Sequence, residues 1–77
     1  MIDTEAEEVK EAIPGCYLTT EAGRLLFDYP FPADRAPGTD WLLTCTVRNE
    51  LAEIGWEIIH PRVLNGHLFG ELRRMRR

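Results

Sequence analysis

Two cysteines, Cys16 and Cys45, and two histidines, His60 and His67, are the residues of this 77-residue chain best suited to chemistry. As a metal set they are badly spaced. Structural zinc sites draw ligands from close pairs, typically two cysteines separated by about two to four residues. Here the cysteines stand far apart, and six residues separate the histidines. A cysteine nucleophile needs a neighbouring base and a third group to orient it, yet Cys45 sits among Leu42, Thr44 and Thr46. His60 falls opposite Glu71 in the hairpin described below and has the look of a base with its orienter. It reads more simply as a polar cross-strand pair worth about 0.2–1 kcal/mol. The glycines are scattered at turns, with no phosphate-binding spacing, and Glu7-Glu8 belongs to a solvated helix side. No catalytic, cofactor-binding or metal-ligating residue is therefore expected, and the chain is expected not to be an enzyme.

The sharpest signal is the run Arg73-Arg74-Met75-Arg76-Arg77. Arginines bind phosphate bidentately, and Trp56 and Phe69, read below as lying on the adjoining face, could stack on bases. The overall charge argues the other way. The chain carries −4, and nucleic-acid-binding domains are usually basic. The charges are also segregated. Up to Glu57 there are twelve acids and four bases, and from Ile58 onward five arginines and one acid. Opposite ends of opposite sign favour contacts within one chain or between copies. The tail is then a solubilising end, or a partner for the acidic first helix.

Length and composition bound what these residues can join. Seventy-seven residues make one domain, and a chain this short buries only about 60% of its unfolded surface. At 44% hydrophobic, with Trp41, Trp56, Phe27, Phe31 and Phe69, it has enough apolar mass for one core, but little left for a deep cleft. No leader or membrane-spanning run is expected. Two cysteines are too few for a disulfide-stapled secreted scaffold, so free thiols in a cytoplasmic setting are expected.

The positioning elements follow from periodicity and turn chemistry. Residues 3–13 suggest a short helix with Thr4 and Glu7 as a capping box, an apolar stripe of Ala6, Val9 and Ile13, and a stop at Pro14-Gly15. Fraying over residues 1–14 is its alternative. Residues 16–29 suggest a hairpin closed by the three-residue loop Glu21-Ala22-Gly23. That register puts Tyr17 opposite Phe27 and Thr19 opposite Leu25 on one face, with Leu18 and Leu26 on the other. Residues 30–39, with Pro30, Pro32 and Pro37, form a loop whose Tyr29 and Phe31 fold back on the core. Residues 40–54 read as the main helix, capped by Thr39 or Asp40, with Leu43, Val47, Leu51 and Ile54 on one face and Gly55 as its stop. A strand over 41–47 is the rival, because Thr44, Thr46 and Val47 are β-branched.

Residues 56–75 carry Asn65-Gly66, a strong hairpin signal. An unbroken register pairs His60 with Glu71, Pro61 with Gly70, Ile59 with Leu72 and Glu57 with Arg74. Val63, Leu68, Pro61, Ile59 and Leu72 then form the core face. Trp56, Ile58, His60, Arg62, Phe69, Glu71 and Arg73 form a mixed outer face. Pro61 has no N–H to offer, which makes its strand a sheet edge and puts the second strand inside.

The expectation is a single α+β domain over residues 1–77, ordered α-β-β-α-β-β, with a four-stranded antiparallel sheet and both helices on one face. Its best functional reading is a small protein-binding module that occupies a partner's surface, with a homodimer as one form. Phage- and mobile-element-encoded inhibitors of the anti-defence or anti-CRISPR type share its size and acidity, and the likeness goes no further than that. The expected partner-binding residues are Trp56, Ile58, His60, Arg62, Phe69, Glu71, Arg73, Arg74, Arg76 and Arg77. Glu5, Glu7, Glu8, Glu11, Asp34 and Asp40 would offer an acidic face that competes for a phosphate site. The alternative is a nucleic-acid binder using the arginine run and the aromatic sheet face.

Overall fold

In the computed structural model, which describes residues 4–75, the elements are α1 (Thr4–Ala12), β1 (Tyr17–Glu21), β2 (Arg24–Pro30), α2 (Asp40–Glu53), β3 (Trp56–Leu64) and β4 (His67–Arg74). The strands form one antiparallel sheet in the order β1-β2-β4-β3. The α+β order read from the sequence is therefore the observed one, with β3 at an edge and β4 inside. Val9 and Ile13 from the α1 segment and Val47 and Leu51 from α2 meet Phe27, Leu68, Leu72, Trp56 and Ile58 of the sheet in one core. Both helices thus cover the same side of the sheet and leave the other uncovered.

Turn chemistry sets the registers. Asn65 and Gly66 both have positive φ, 53° and 78°, as a tight two-residue hairpin turn requires. Ala22 and Gly23 do the same at 54° and 78°, so the first hairpin closes on two residues and not on the expected three. The difference of one residue pairs Leu18 with Phe27 and Thr19 with Leu26. Leu18 joins Leu25 and Phe27 on the core side, whereas Tyr17 and Thr19 turn outward. That reverses the expected pairing of Tyr17 with Phe27.

The second hairpin departs from its expected register at Pro61. Arg62 pairs with Phe69 and Ile59 with Glu71, so His60 and Pro61 together oppose Gly70 in a β-bulge. His60 takes the left-handed conformation, φ 53°. Beyond the bulge every pair is shifted by one, giving Ile58 with Leu72, Glu57 with Arg73 and Trp56 with Arg74. The side-chain period of a strand is two, so this slip exchanges faces. Trp56 and Ile58, expected on the surface, are 4% and 7% exposed, and Ile59, expected in the core, turns to the open side. Gly70 makes room for the crossing. A Cβ there would fall 2.5 Å from Cγ1 of Ile58.

Residues 40–53 are helical despite the β-branched run. The Thr44 and Thr46 hydroxyls donate to the carbonyls of Asp40 and Leu42, at 2.9 and 3.0 Å, which ties both side chains to the helix itself. Val47 and Leu51 are buried, with Leu43 and Ile54 packed beside them. Thr39 takes the N-cap position, as expected, but no side chain caps the helix. The Thr39 hydroxyl donates to Ala36 O at 2.6 Å, and the Asp40 carboxylate accepts from Arg35 Nε at 2.7 Å. Gly55, φ 88°, ends the helix as expected. Phe31 folds into the core with Tyr29 edge-on to it, ring centroids 5.8 Å apart. The Thr4 side chain of the expected capping box lies outside the described residues. Among those residues no helix is long and apolar enough to cross a membrane.

Candidate protein-interaction face

The uncovered side of the sheet is built by alternate residues of all four strands. The registers align Tyr17, Asp28, Phe69 and Arg62 in one row across the sheet, and Thr19, Leu26, Glu71 and Ile59 in the next. Leu26, Ile59 and Phe69 make a partly exposed apolar centre. A shallow groove of about 420 Å³ lies on it, rimmed by Arg24, Arg62 and Glu71. The His67 ring stacks on Phe69 with centroids 5.6 Å apart and planes 10° from parallel. Two residues apart on β4, these rings share a face because strand side chains alternate.

Charges around this centre are largely paired within the chain. Arg73 holds Glu57 at 2.6 Å, His67 Nδ1 lies 2.8 Å from the Asp28 carboxylate, and Arg24 lies 3.9 Å from Glu71. These groups are exposed or half-exposed, and pairs of that kind contribute at most about 1 kcal/mol each. Their larger effect is on the field of the face. Arg24 and Arg73 are met by Glu71 and Glu57, and Arg62 stands across from Phe69 with no ion-pair partner among the described residues, so no cationic stripe crosses the sheet.

Of the expected partner-binding residues, Arg62, Phe69, Glu71 and Arg73 do share this face. Trp56 and Ile58 do not, because the bulge carries them into the core. His60 is exposed at the bulge but no longer faces Glu71, which pairs with Ile59, and the base-and-orienter geometry is lost. Arg74 points to the helix side. Its guanidinium lies over the Trp56 ring at 4.5 Å, donates to Ile54 O at 3.1 Å and meets Glu8 at 3.4 Å. The expected Glu57–Arg74 pair is replaced by Glu57–Arg73. Arg76 and Arg77 lie outside the described residues, as does the Glu5 side chain. The acidic face is divided, since Glu8 engages Arg74 and Trp56 and Asp40 engages Arg35. Leu26, Ile59, Arg24 and Tyr17 also belong to the open face; Ile59 was expected in the core, and the sequence assigns no face of the first hairpin to it. Reading Ala22-Gly23 as a two-residue turn would have found Tyr17, and reading Pro61 as a bulge would have found Ile59.

Both cysteines are free, Cys16 buried and Cys45 half-buried. Burial pushes the Cys16 thiol above its ordinary pKa, against smaller lowering effects of Lys10 and a backbone hydrogen bond, which makes it a poor nucleophile. Among the described residues no cluster of three or more His, Cys, Asp or Glu side chains could hold a metal ion. Comparison with protein-family models, curated proteins and solved structures gives no match in any of the three.

Proposed function

We propose that the chain is a small non-enzymatic protein-binding module that acts by covering a partner's surface with its open sheet face. The observation that carries this reading is the uncovered apolar centre of Leu26, Ile59 and Phe69, ringed by charges that, Arg62 apart, are paired within the chain. A mostly neutral rim around an aromatic and aliphatic centre suits a protein surface, where buried hot spots supply the binding energy. It suits a polyanion poorly, because beyond the single Arg62 a phosphate would have to displace Glu57 from Arg73 or Glu71 from Arg24. The alternative, nucleic-acid binding through the C-terminal arginines, is weakened further by Arg74, whose guanidinium is held against Trp56 and Glu8. Two free thiols support placing the module in a reducing, cytoplasmic setting.

The test is affinity capture from cell lysate with the wild type and a Phe69→Ala variant, alongside anisotropy titrations with short DNA and RNA. Expected is a captured protein that the variant loses at unchanged fold, with no oligonucleotide binding at physiological salt. Oligonucleotide affinity that falls steeply with salt and disappears on deleting residues 73–77 would establish the alternative instead.

A further inference from the structure

The two edges of the sheet are unequal. β3 carries Pro61 and the His60–Pro61 bulge, both of which block the addition of another strand. β1, with the sequence YLTTE, has no proline and keeps an unbroken register with β2. Its backbone polarity follows from its turn. A two-residue loop makes Glu21 and Arg24 a hydrogen-bonded pair, so by alternation Tyr17, Thr19 and Glu21 direct their N–H and C=O groups to β2. Those of Leu18 and Thr20 point away from the sheet, at an open edge.

We propose that this β1 edge joins two copies of the chain about a two-fold axis through Thr19, merging their sheets into one. In that register Leu18 faces Thr20 of the second copy, and the two residues exchange both backbone hydrogen bonds, as does the symmetry-related pair. Thr19 meets its own copy, a favourable cross-strand pairing, and Tyr17, 64% exposed, meets Glu21. No like charges face each other along the strands.

The helix layer carries the same self-complementarity. A groove of about 420 Å³ separates α1 from β1, lined by Ala6, Glu7, Lys10, Leu18, Thr20 and Leu25 among others. Glu7 and Lys10, three residues apart on one side of α1, have no ion-pair partner among the described residues. A two-fold axis beside them sets α1 antiparallel to its copy, so that each Glu7 faces the other Lys10. An isologous interface requires this kind of matching, in which residue i meets j and j meets i. The edge shares Tyr17 and Thr19 with the open sheet face, but its outward backbone groups and the Glu7 and Lys10 side chains lie away from the Leu26, Ile59 and Phe69 centre, so the dimer is tested separately from the function proposed above.

Sedimentation equilibrium on the full chain, from about 10 μM to about 0.5 mM, covers the range in which a small edge interface is populated. The expected result is a concentration-dependent rise from 8.9 kDa toward twice that mass. Thr20→Pro removes an N–H that the single chain does not use and should weaken association by about tenfold or more. Glu7→Lys alone, or Lys10→Glu alone, should weaken it roughly fivefold by setting like charges together, and the two combined should restore it. Those helix-surface changes keep the test valid even if Thr20→Pro unfolds. A constant mass of 8.9 kDa up to the highest concentration overturns the proposal. So does a dimer indifferent to the charge reversals.

Discussion

Arg74 covers Trp56. The guanidinium carbon stands 4.5 Å from the indole centroid, while Trp56 Nε1–H donates to Glu8 Oε1 at 3.3 Å and Arg74 reaches the same oxygen at 3.4 Å. Arginine, tryptophan and glutamate thus tie the last strand, the start of β3 and the first helix together around one carboxylate. The acid-rich helix and the arginine run, segregated in sequence, meet here.

This clasp gives a first prediction. The Arg74 and Glu8 side chains are nearly half exposed, so the pair itself contributes little and the cation–π contact adds about 0.5–1 kcal/mol. Arg74→Ala should lower unfolding stability by about 1 kcal/mol in urea titrations, and less at high salt. A double-mutant cycle with Glu8→Ala should show a coupling that Arg73→Ala does not share.

Gly70 yields a second. An added Cβ would lie 2.5 and 2.6 Å from Cγ1 and Cδ1 of Ile58, and Ile58 is packed in the core. Gly70→Ala should therefore cost about 1–3 kcal/mol, as overpacking does. Combining it with Ile58→Ala should cost less than the sum of the two single changes, measured by chemical denaturation.

His60 allows a test of the bulge itself. Its φ of 53° is disfavoured for a side chain with a Cβ and costs glycine nothing. His60→Gly should raise the midpoint of thermal unfolding, by about 0.5–1 kcal/mol of stability, and His60→Val should lower it. A destabilising His60→Gly would mean that the imidazole makes a contact worth more than the strain.

Cys16 sets an alkaline limit. Its folded-state thiol titrates above the ordinary 9.0 because burial disfavours the thiolate. Above about pH 9 the unfolded chain then gives up its proton first and binds fewer protons than the folded one, so stability falls as pH rises. Below that pH the contribution is constant. Thermal melts from about pH 7.5 to 10.5 should show an alkaline decline in the wild type that is shallower in Cys16→Ala.

The elements were legible because each rests on local chemistry. Asn65-Gly66 and Gly55 sit where positive φ is needed, Pro14-Gly15 closes the first helix, and the spacing of Leu43, Val47, Leu51 and Ile54 gives α2 its inner face. Pro61 marked β3 as an edge and so put β4 inside, beside the first hairpin. The helix over 41–47 prevailed over local β-propensity because Val47 is buried against the sheet.

What the sequence did not determine is which side of each strand faces the core. Strand side chains alternate with a period of two, so one residue gained or lost reverses every position beyond it. That happened twice. A two-residue turn at Ala22-Gly23 put Tyr17 on the face opposite Phe27 instead of beside it, and the bulge at His60–Pro61 brought Trp56 and Ile58 inward while releasing Ile59. Neither residue announces its conformation locally, since alanine and histidine adopt positive φ only when surrounding pairings hold them there. The sequence by itself determined the helices, the four strands and the edge position of β3, because those depend on near neighbours. Only the tertiary structure decided the faces, and with them the candidate site, because a face depends on the whole register of a strand against its partner.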